Sequence, residues 1–160
     1  MKVIIVGGVA GGASAAARLR RLDEQAEIIM IERTGYVSYA NCGLPYFVGG
    51  VIQKKENLTL QTPQSFQKRF RVDARVRQEV LEIDREKKLV IIKKLDTGEL
   101  YQESYDKLLL APGAKANRPK LEGMEQLSED ALSRIMTLKT VEDTYHMRAF
   151  IEQHKPTRAV

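Results

Sequence analysis

One cysteine, Cys42, occurs in 160 residues. The missing second thiol excludes an internal disulfide and any disulfide-stapled scaffold, and fits a reducing, cytoplasmic compartment. Redox chemistry at Cys42 would therefore need a partner that is not protein, or a cycle through oxidised sulfur. Histidine is almost as scarce: His146 and His154 are the only two. Neither has neighbours at metal-ligand spacing, so both read as surface histidines and no metal is expected. Aromatic residues make up 6% of the chain and no basic cluster is interleaved with them. Stacking platforms are thus lacking, which argues against nucleic acid. No apolar stretch approaches membrane-spanning length, so no membrane span is expected. The opening Met1-Lys2, the apolar Val3 to Val6 and the small residues through Ala13-Ser14-Ala15 have the outline of a signal peptide. Glycines interrupt that apolar run, however, and cleavage would destroy the unit described next.

What is present fits a soluble globular domain. Hydrophobic residues are 43% and charged residues 29% of the chain, enough for one domain with a core. A net charge of +5 points weakly to an anionic partner, either nucleic acid or a phosphorylated cofactor. Lys2 to Val6 reads as a short apolar strand. Gly7-Gly8-Val9-Ala10-Gly11-Gly12 turns from it into a helix running to about Leu22. On that helix Gly12, Ala15, Ala16, Leu19 and Leu22 share one side; Ser14, Arg18, Arg21 and Gln25 share the other. Ile28 to Ile31 is a second apolar strand, ending at Glu32. Gly35 to Pro45 reads as a loop, with Pro45 in the first turn of a short helix. A helix is predicted from about Pro63 to Phe70. Val76–Ile83, Leu89–Leu95 and Leu100–Tyr105 then read as three antiparallel strands, with Asp96-Thr97-Gly98 as a turn. The apolar run Leu108-Leu109-Leu110-Ala111 suits a buried parallel strand. A polar loop with Pro119 and Gly123 follows. A surface helix from Thr140 to Gln153 is capped by Thr140 and Asp143. Arg158-Ala159-Val160 looks like the start of another strand.

A glycine turn between a strand and a helix exposes backbone N–H groups to a pyrophosphate, and the helix end favours negative charge. Here the spacing is Gly7-x-Val9-x-x-Gly12, with Val9 where the usual fingerprint has its second glycine. Gly8 and Gly11 relax the loop. Glu32, at the end of the next strand, suits a carboxylate that accepts hydrogen bonds from ribose hydroxyls and disfavours a 2′-phosphate. The bland alternative is a glycine-rich turn without a ligand. The strand, helix and acid around the turn favour a dinucleotide. For Cys42 the bland alternative is an inert buried thiol.

Four segments carry a resemblance: Gly7-Gly8-Val9-Ala10-Gly11-Gly12, Ala16 to Asp23, Asn41-Cys42-Gly43-Leu44-Pro45-Tyr46, and Leu108 to Ala114. Together they closely resemble the coenzyme A-disulfide reductases, the single-cysteine branch of the pyridine nucleotide-disulfide oxidoreductases. The valine in the glycine loop also matches that branch. The resemblance implies an α/β, Rossmann-like FAD-binding domain: a parallel sheet with helices plus a three-stranded antiparallel β-meander, truncated here. Residues 1–153 would be its first part. Residues 154–160 would begin an NAD(P)H-binding domain in a homodimeric chain about three times longer.

The resemblance also assigns roles. Cys42 would attack a coenzyme A disulfide and hold one half as a mixed disulfide, with electrons arriving from NADH or NADPH through FAD. Related two-cysteine reductases use Cys-x4-Cys, but Phe47 stands at the second position here. Gly7, Val9, Ala10, Gly11 and Gly12 would face the FAD pyrophosphate. Glu32 and Arg33 would face its adenosine half, and Val80 would meet the adenine through its backbone. Ala111, Pro112 and Gly113 would pass near the pyrophosphate–ribose region, with Asn41 and Cys42 toward the flavin. The stripe Ser14, Arg18 and Arg21, a solvated face on the bland reading, would bind coenzyme A phosphates. Ser38 and Asn41 would lie near the sulfur, and Arg71, with Lys68 and Arg69, would add to the same site. The alternatives are an NADH oxidase or peroxidase cycling through sulfenic acid, a persulfide or polysulfide reductase, or a nucleotide-binding module without catalysis.

Overall fold

The computed structural model describes all residues from Met1 to Val160. The chain forms two compact units, one of residues 1–39 and 59–113, the other of residues 40–58 and 114–160.

The first unit is built on a four-stranded parallel sheet, in the order β3-β2-β1-β7. β1 is Lys2–Val6, β2 Glu27–Glu32, β3 Val72–Val76 and β7 Lys107–Leu110. Two helices accompany it, α1 (Ala10–Leu22) and α3 (Pro63–Phe70). Inside their charged end residues Lys2, Glu27 and Glu32, the central strands are continuously apolar because both faces are covered. Val3, Ile5, Ile28 and Met30 pack with Ala13 and Ala16 of α1 and Phe66 of α3. The alternate residues Ile4, Ile29 and Ile31 pack with Val90 and Ile92 on the opposite face. Those last two belong to an antiparallel meander of β4 (Gln78–Asp84), β5 (Leu89–Lys94) and β6 (Leu100–Ser104). Each fully buried isoleucine contributes about 1.5–3 kcal/mol, so the two-faced burial of β1 and β2 anchors the unit.

Three expectations need correction here. Val76 does not begin the meander. It ends β3, a parallel strand with register Ile28↔Val72 to Glu32↔Val76 that the sequence reading missed. Arg77, at φ 54°, then turns the corner into β4. The run after Tyr105 is parallel as expected, but β7 pairs only with β1. It is an edge strand, and Leu110 is 58% exposed. On α1 the buried set is Gly12, Ala13, Ala16 and Arg20, while Leu22 is exposed.

Arg20 replaces Leu22 inside because its guanidinium terminates several chain segments at once. Nε donates to the Phe70 carbonyl at 2.7 Å, Nη1 to those of Asp23 and Glu24, and Nη2 to those of Ala26 and Arg71. Burial, then the nearby Arg71 charge, lowers its pKa from the ordinary guanidinium value.

The second unit contains α2 (Leu44–Val48), α4 (Glu129–Ser133) and α5 (Val141–His154). The expected polar loop is partly helical: Ser128 Oγ accepts from Ala131 N–H and caps α4. α5 carries the predicted box, with Thr140 Oγ1 accepting from Asp143 N–H at 3.1 Å and Asp143 Oδ2 accepting from Thr140 N–H at 2.9 Å. It is not wholly a surface helix, because Val141 and Thr144 are buried. Lys155, in the left-handed region, ends it, and residues 156–160 form no strand.

Candidate functional site

The glycine turn lies at the carboxyl end of β1 and opens α1. Gly7 has φ +97°, and a Cβ there would fall 2.0 Å from the Ala111 carbonyl oxygen. A Cβ on Gly12 would fall 1.7 Å from the Gly7 carbonyl oxygen. Both positions therefore demand glycine, one for backbone conformation and both for close approach. The Ala111 N–H donates to Val6 O at 2.8 Å, which brings the segment Ala111-Pro112-Gly113 against the turn.

Gly7 N–H donates to Ile31 O, and Gly8 N–H donates to Glu32 Oε2 at 2.7 Å. The first intrahelical bond runs from Ala13 N–H to Val9 O. The amides of Ala10, Gly11 and Gly12 therefore stand at the mouth of α1, as the first amides of any helix do. Val9 holds the N-cap position without a side-chain hydrogen bond, and the first turn carries no acid. An anion with several acceptor oxygens fits that mouth.

Glu32 is only 7% exposed. Besides Gly8, its carboxylate accepts from Thr34 N–H and Oγ1 at 2.8 and 2.9 Å. Three acceptor positions are thus used, leaving about one of the four on a carboxylate for a further donor such as a ribose hydroxyl. Val37, fully buried, lies over Gly8, where a Cβ would fall 2.9 Å from its Cγ1. Ser38 N–H donates to Gly8 O at 2.8 Å from a left-handed backbone conformation. The sequence reading did not single out Thr34 or Val37. Their signal would have been position alone, just after the acid.

Among the residues expected at a cofactor, the first unit thus brings together Gly7, Val9, Ala10, Gly11, Gly12, Glu32 and Ala111, and Ser38, expected near the substrate sulfur, is hydrogen-bonded to the same turn. Arg33 is exposed and lies 3.5 Å from Glu79, the neighbour of Val80. Val80 is half-buried and packs on the meander side of the core, beside an irregularity between Val80 and Glu82. Ser14, Arg18 and Arg21 are exposed along α1, spread over roughly 10 Å of axis. Arg71 lies apart from the turn. It ends α3 in the left-handed region, its guanidinium donates to Glu24 O at 2.8 Å, and it precedes the amino end of β3.

Asn41 and Cys42 belong to the second unit. They form a 3-10 turn, Asn41–Gly43, that leads directly into α2. Gly43, Leu44 and Phe47 are buried, while Asn41 and Cys42 are exposed. The thiol is therefore exposed in this chain and not part of its core. His146 and His154 take part in no group of metal-ligating residues, and no helix is long and apolar enough to cross a membrane.

Parallel sheet, antiparallel meander and glycine-cradled helix mouth together define a dinucleotide-binding oxidoreductase fold. The chain belongs to the pyridine nucleotide-disulphide oxidoreductase family, whose model matches residues 1–158. Members of that family use FAD and NAD(P)H. A curated relative, the coenzyme A disulfide reductase of Staphylococcus epidermidis, is 38% identical over 99% of this chain. This chain covers 34% of that relative, so it spans about a third of the relative's length. The solved structure of reduced CoADR-RHD from Bacillus anthracis is 50% identical with a TM-score of 0.90, covering 97% of this chain and 27% of that one. A NAD-dependent persulfide reductase from A. fulgidus is 35% identical with a TM-score of 0.85, covering 96% and 27% respectively.

Proposed function

We propose that this protein binds FAD through the turn at Gly7 to Gly12 and serves an NADH- or NADPH-dependent reduction of coenzyme A disulfide, with Cys42 as the attacking thiol. The observation that carries the reading is a lone, exposed cysteine at the entrance to α2. No second thiol lies within these 160 residues, and a mixed disulfide between Cys42 and substrate is the intermediate in this reading. The Cys42 thiolate attacks one sulfur of the substrate; a Cys42–sulfur bond forms and one coenzyme A thiolate leaves. Two electrons then break that mixed disulfide, restoring the Cys42 thiolate and releasing the second coenzyme A thiolate. FAD held at the Gly7 to Gly12 turn would supply that electron pair, drawn as hydride from a nicotinamide.

The chain's residues fit the cofactor. Gly7 and Gly12 allow the backbone to approach a pyrophosphate, the Ala10 to Gly12 amides face it, and Glu32 retains capacity for a ribose hydroxyl. Arg33, Val80, Pro112 and Gly113 complete the adenosine and ribose contacts in this reading. Ser14, Arg18 and Arg21 present exposed donors suited to coenzyme A phosphates, and Ser38 and Asn41 flank the substrate sulfur. Arg71 already caps α3 and has less freedom for that task. A reducing cytoplasm and a homodimer complete the proposal.

The persulfide reductase among the similar structures supports a second reading, in which the same thiol attacks a coenzyme A persulfide. An oxidase or peroxidase cycling Cys42 through sulfenic acid is the third. The test supplies full-length protein and NADH or NADPH with coenzyme A disulfide, coenzyme A persulfide, hydrogen peroxide or oxygen. Fastest turnover with coenzyme A disulfide, abolished in Cys42→Ser with flavin retained, is the expected result. Turnover of peroxide or oxygen alone, or an active Cys42→Ser, overturns the proposal.

A further inference from the structure

We propose that Arg148 is a positioning residue for Cys42, acting through the short helix that follows the thiol; this rests on Cys42 being the attacking group. α2 has five residues, Leu44–Val48, too few to hold its shape by internal hydrogen bonds. Neither the 3-10 turn at Asn41 nor α2 has a side-chain cap at its start. The segment is secured at its other end. Arg148 Nη1, from α5, donates to Val48 O at 3.2 Å and reaches Phe47 O at 3.5 Å. The last carbonyls of a helix lack intrahelical donors; here Phe47 O also accepts from Gly50 N–H at 3.1 Å, and Arg148 supplies the donor to Val48 O.

The chain after α2 is shaped around that guanidinium. Gly49 N–H donates to Pro45 O, and Val51 and Ile52 N–H both donate to Tyr46 O, at 2.9 and 3.1 Å. Gly50 makes the reversal at φ +79°, and a Cβ there would fall 3.0 Å from Arg148 Nη1. Glu152 accepts from Arg148 Nε at 2.6 Å and fixes the plane of the guanidinium. One turn earlier on α5, the Tyr145 ring meets the Phe47 ring at 5.7 Å, and Lys55 Nζ lies 4.5 Å from the Tyr145 ring centroid. α5 therefore grips the segment from Phe47 to Lys55 through ring, cation and hydrogen bonds. Its hold on the α2 carboxyl end sets the direction in which the amino end, and Cys42, points. Thiol–disulfide exchange needs the attacking sulfur in line with the sulfur–sulfur bond, and misplacement by about 1 Å can cost 100-fold.

The experiment uses full-length flavin-loaded protein as wild type, Arg148→Ala, Arg148→Lys, Glu152→Gln and Cys42→Ser. Intact-mass measurement follows the mixed disulfide on Cys42 in a single turnover with coenzyme A disulfide. Steady-state kcat and KM, flavin content and Tm are measured beside it. Arg148→Ala is expected to slow adduct formation and kcat about tenfold or more, with KM within about twofold and flavin retained. Arg148→Lys, which keeps one cation near the same carbonyls, restores most of the rate. Glu152→Gln, a milder change should Arg148→Ala fail to fold, slows the same step less. Adduct formation at the wild-type rate in Arg148→Ala and Glu152→Gln overturns the proposal. So does loss of flavin and rate together without recovery in Arg148→Lys. A wild-type protein that forms no adduct on Cys42, behaving like Cys42→Ser, overturns instead the reading of Cys42 itself.

Discussion

The sharpest consequence of the turn geometry is an ordered response to adding single methyl groups. Gly12→Ala places a Cβ 1.7 Å from the Gly7 carbonyl oxygen and 3.0 Å from Ile5 Cγ2, where actual Cβ contacts stay above 3.0 Å. The obstacle is backbone, so the turn and the first turn of α1 must separate by at least about 1.3 Å. Forced expansion of a packed region costs about 1–3 kcal/mol and occasionally more, and a backbone obstacle puts this case at the upper end. Gly8→Ala meets Val37 Cγ1 at 2.9 Å and Glu32 Cβ at 3.2 Å, side-chain atoms that need to shift only a few tenths of an ångström. Gly113→Ala meets nothing within 4 Å, but its φ of +70° strains an alanine, by about 1–2 kcal/mol.

Flavin titration and thermal melts of the full-length protein check this order. Gly12→Ala should lose about 100-fold or more in FAD affinity, the equivalent of about 3 kcal/mol, because the displaced groups are the amides proposed to face the pyrophosphate. Gly8→Ala should lose about tenfold, and Gly113→Ala should lower Tm with a smaller effect on FAD. If Gly12→Ala kept wild-type flavin affinity and Tm, the close approach of the Gly7 carbonyl to α1 would be refuted. If Gly113→Ala proved as damaging as Gly12→Ala, local clash would not be what orders the series.

Two further outcomes follow from the first unit. Arg20→Met, similar in volume, should lower unfolding stability by about 3 kcal/mol in urea titration, since hydrogen bonds to charged groups are worth about 1.5–3 kcal/mol each and some of the freed carbonyls reach water; Arg20→Lys should fall between the two, and Arg20→Met within about 0.5 kcal/mol of wild type, the range of an ordinary surface substitution, refutes the terminating role. Glu103 accepts from Lys2 and Arg75; burial alone would raise its pKa, but those hydrogen bonds and charges outweigh burial and hold it below the usual carboxylate value. A depressed carboxylate contributes stability above its unfolded pKa and loses it as pH falls through the folded one. The Tm of wild type should therefore exceed that of Glu103→Gln at neutral pH and converge on it below about pH 4; parallel curves from pH 3 to 7 refute the linkage.

The parts legible from sequence were those where a local signal and a tertiary need coincide. β1, the turn, α1 and β2 were readable because an apolar run, glycines and an acid follow one another at fixed spacing. β3 was not. Its Asp73 and Arg75 interrupt the apolar pattern at a sheet edge, and the corner at Arg77 carries a left-handed residue without glycine or proline to mark it. The burial of Leu108 to Leu110 was overestimated because an apolar run does not reveal whether a strand has one neighbour or two. Arg20 escaped for another reason: the carbonyls it gathers come from residues 23–26 and from the end of α3, and no spacing within α1 encodes that meeting. At the site, Gly7, Gly12 and Glu32 followed from spacing, whereas Thr34, Val37 and the Ala111 carbonyl act through packing that only the folded chain displays.

The helix starts themselves separate structure from function. α3 and α5 begin with complete capping boxes, Thr62 with Ser65 and Thr140 with Asp143, and α4 is capped by Ser128. α1 begins at Val9 with no side-chain cap and no acid in its first turn. Valine there instead of serine or threonine forgoes about 1 kcal/mol, and the glycines around it add backbone entropy to be lost on folding. α3, α4 and α5 thus meet the rules for helix starts, the five-residue α2 lacks the side-chain cap, and α1 breaks several rules at once. Departures concentrated in this way mark a site where binding replaces local stability. An acidic cap would satisfy the free amides of Ala10 to Gly12 and repel a phosphate. Left without such a cap, beside a turn whose backbone excludes a Cβ at Gly7 and Gly12, those amides suit an anion that completes the helix.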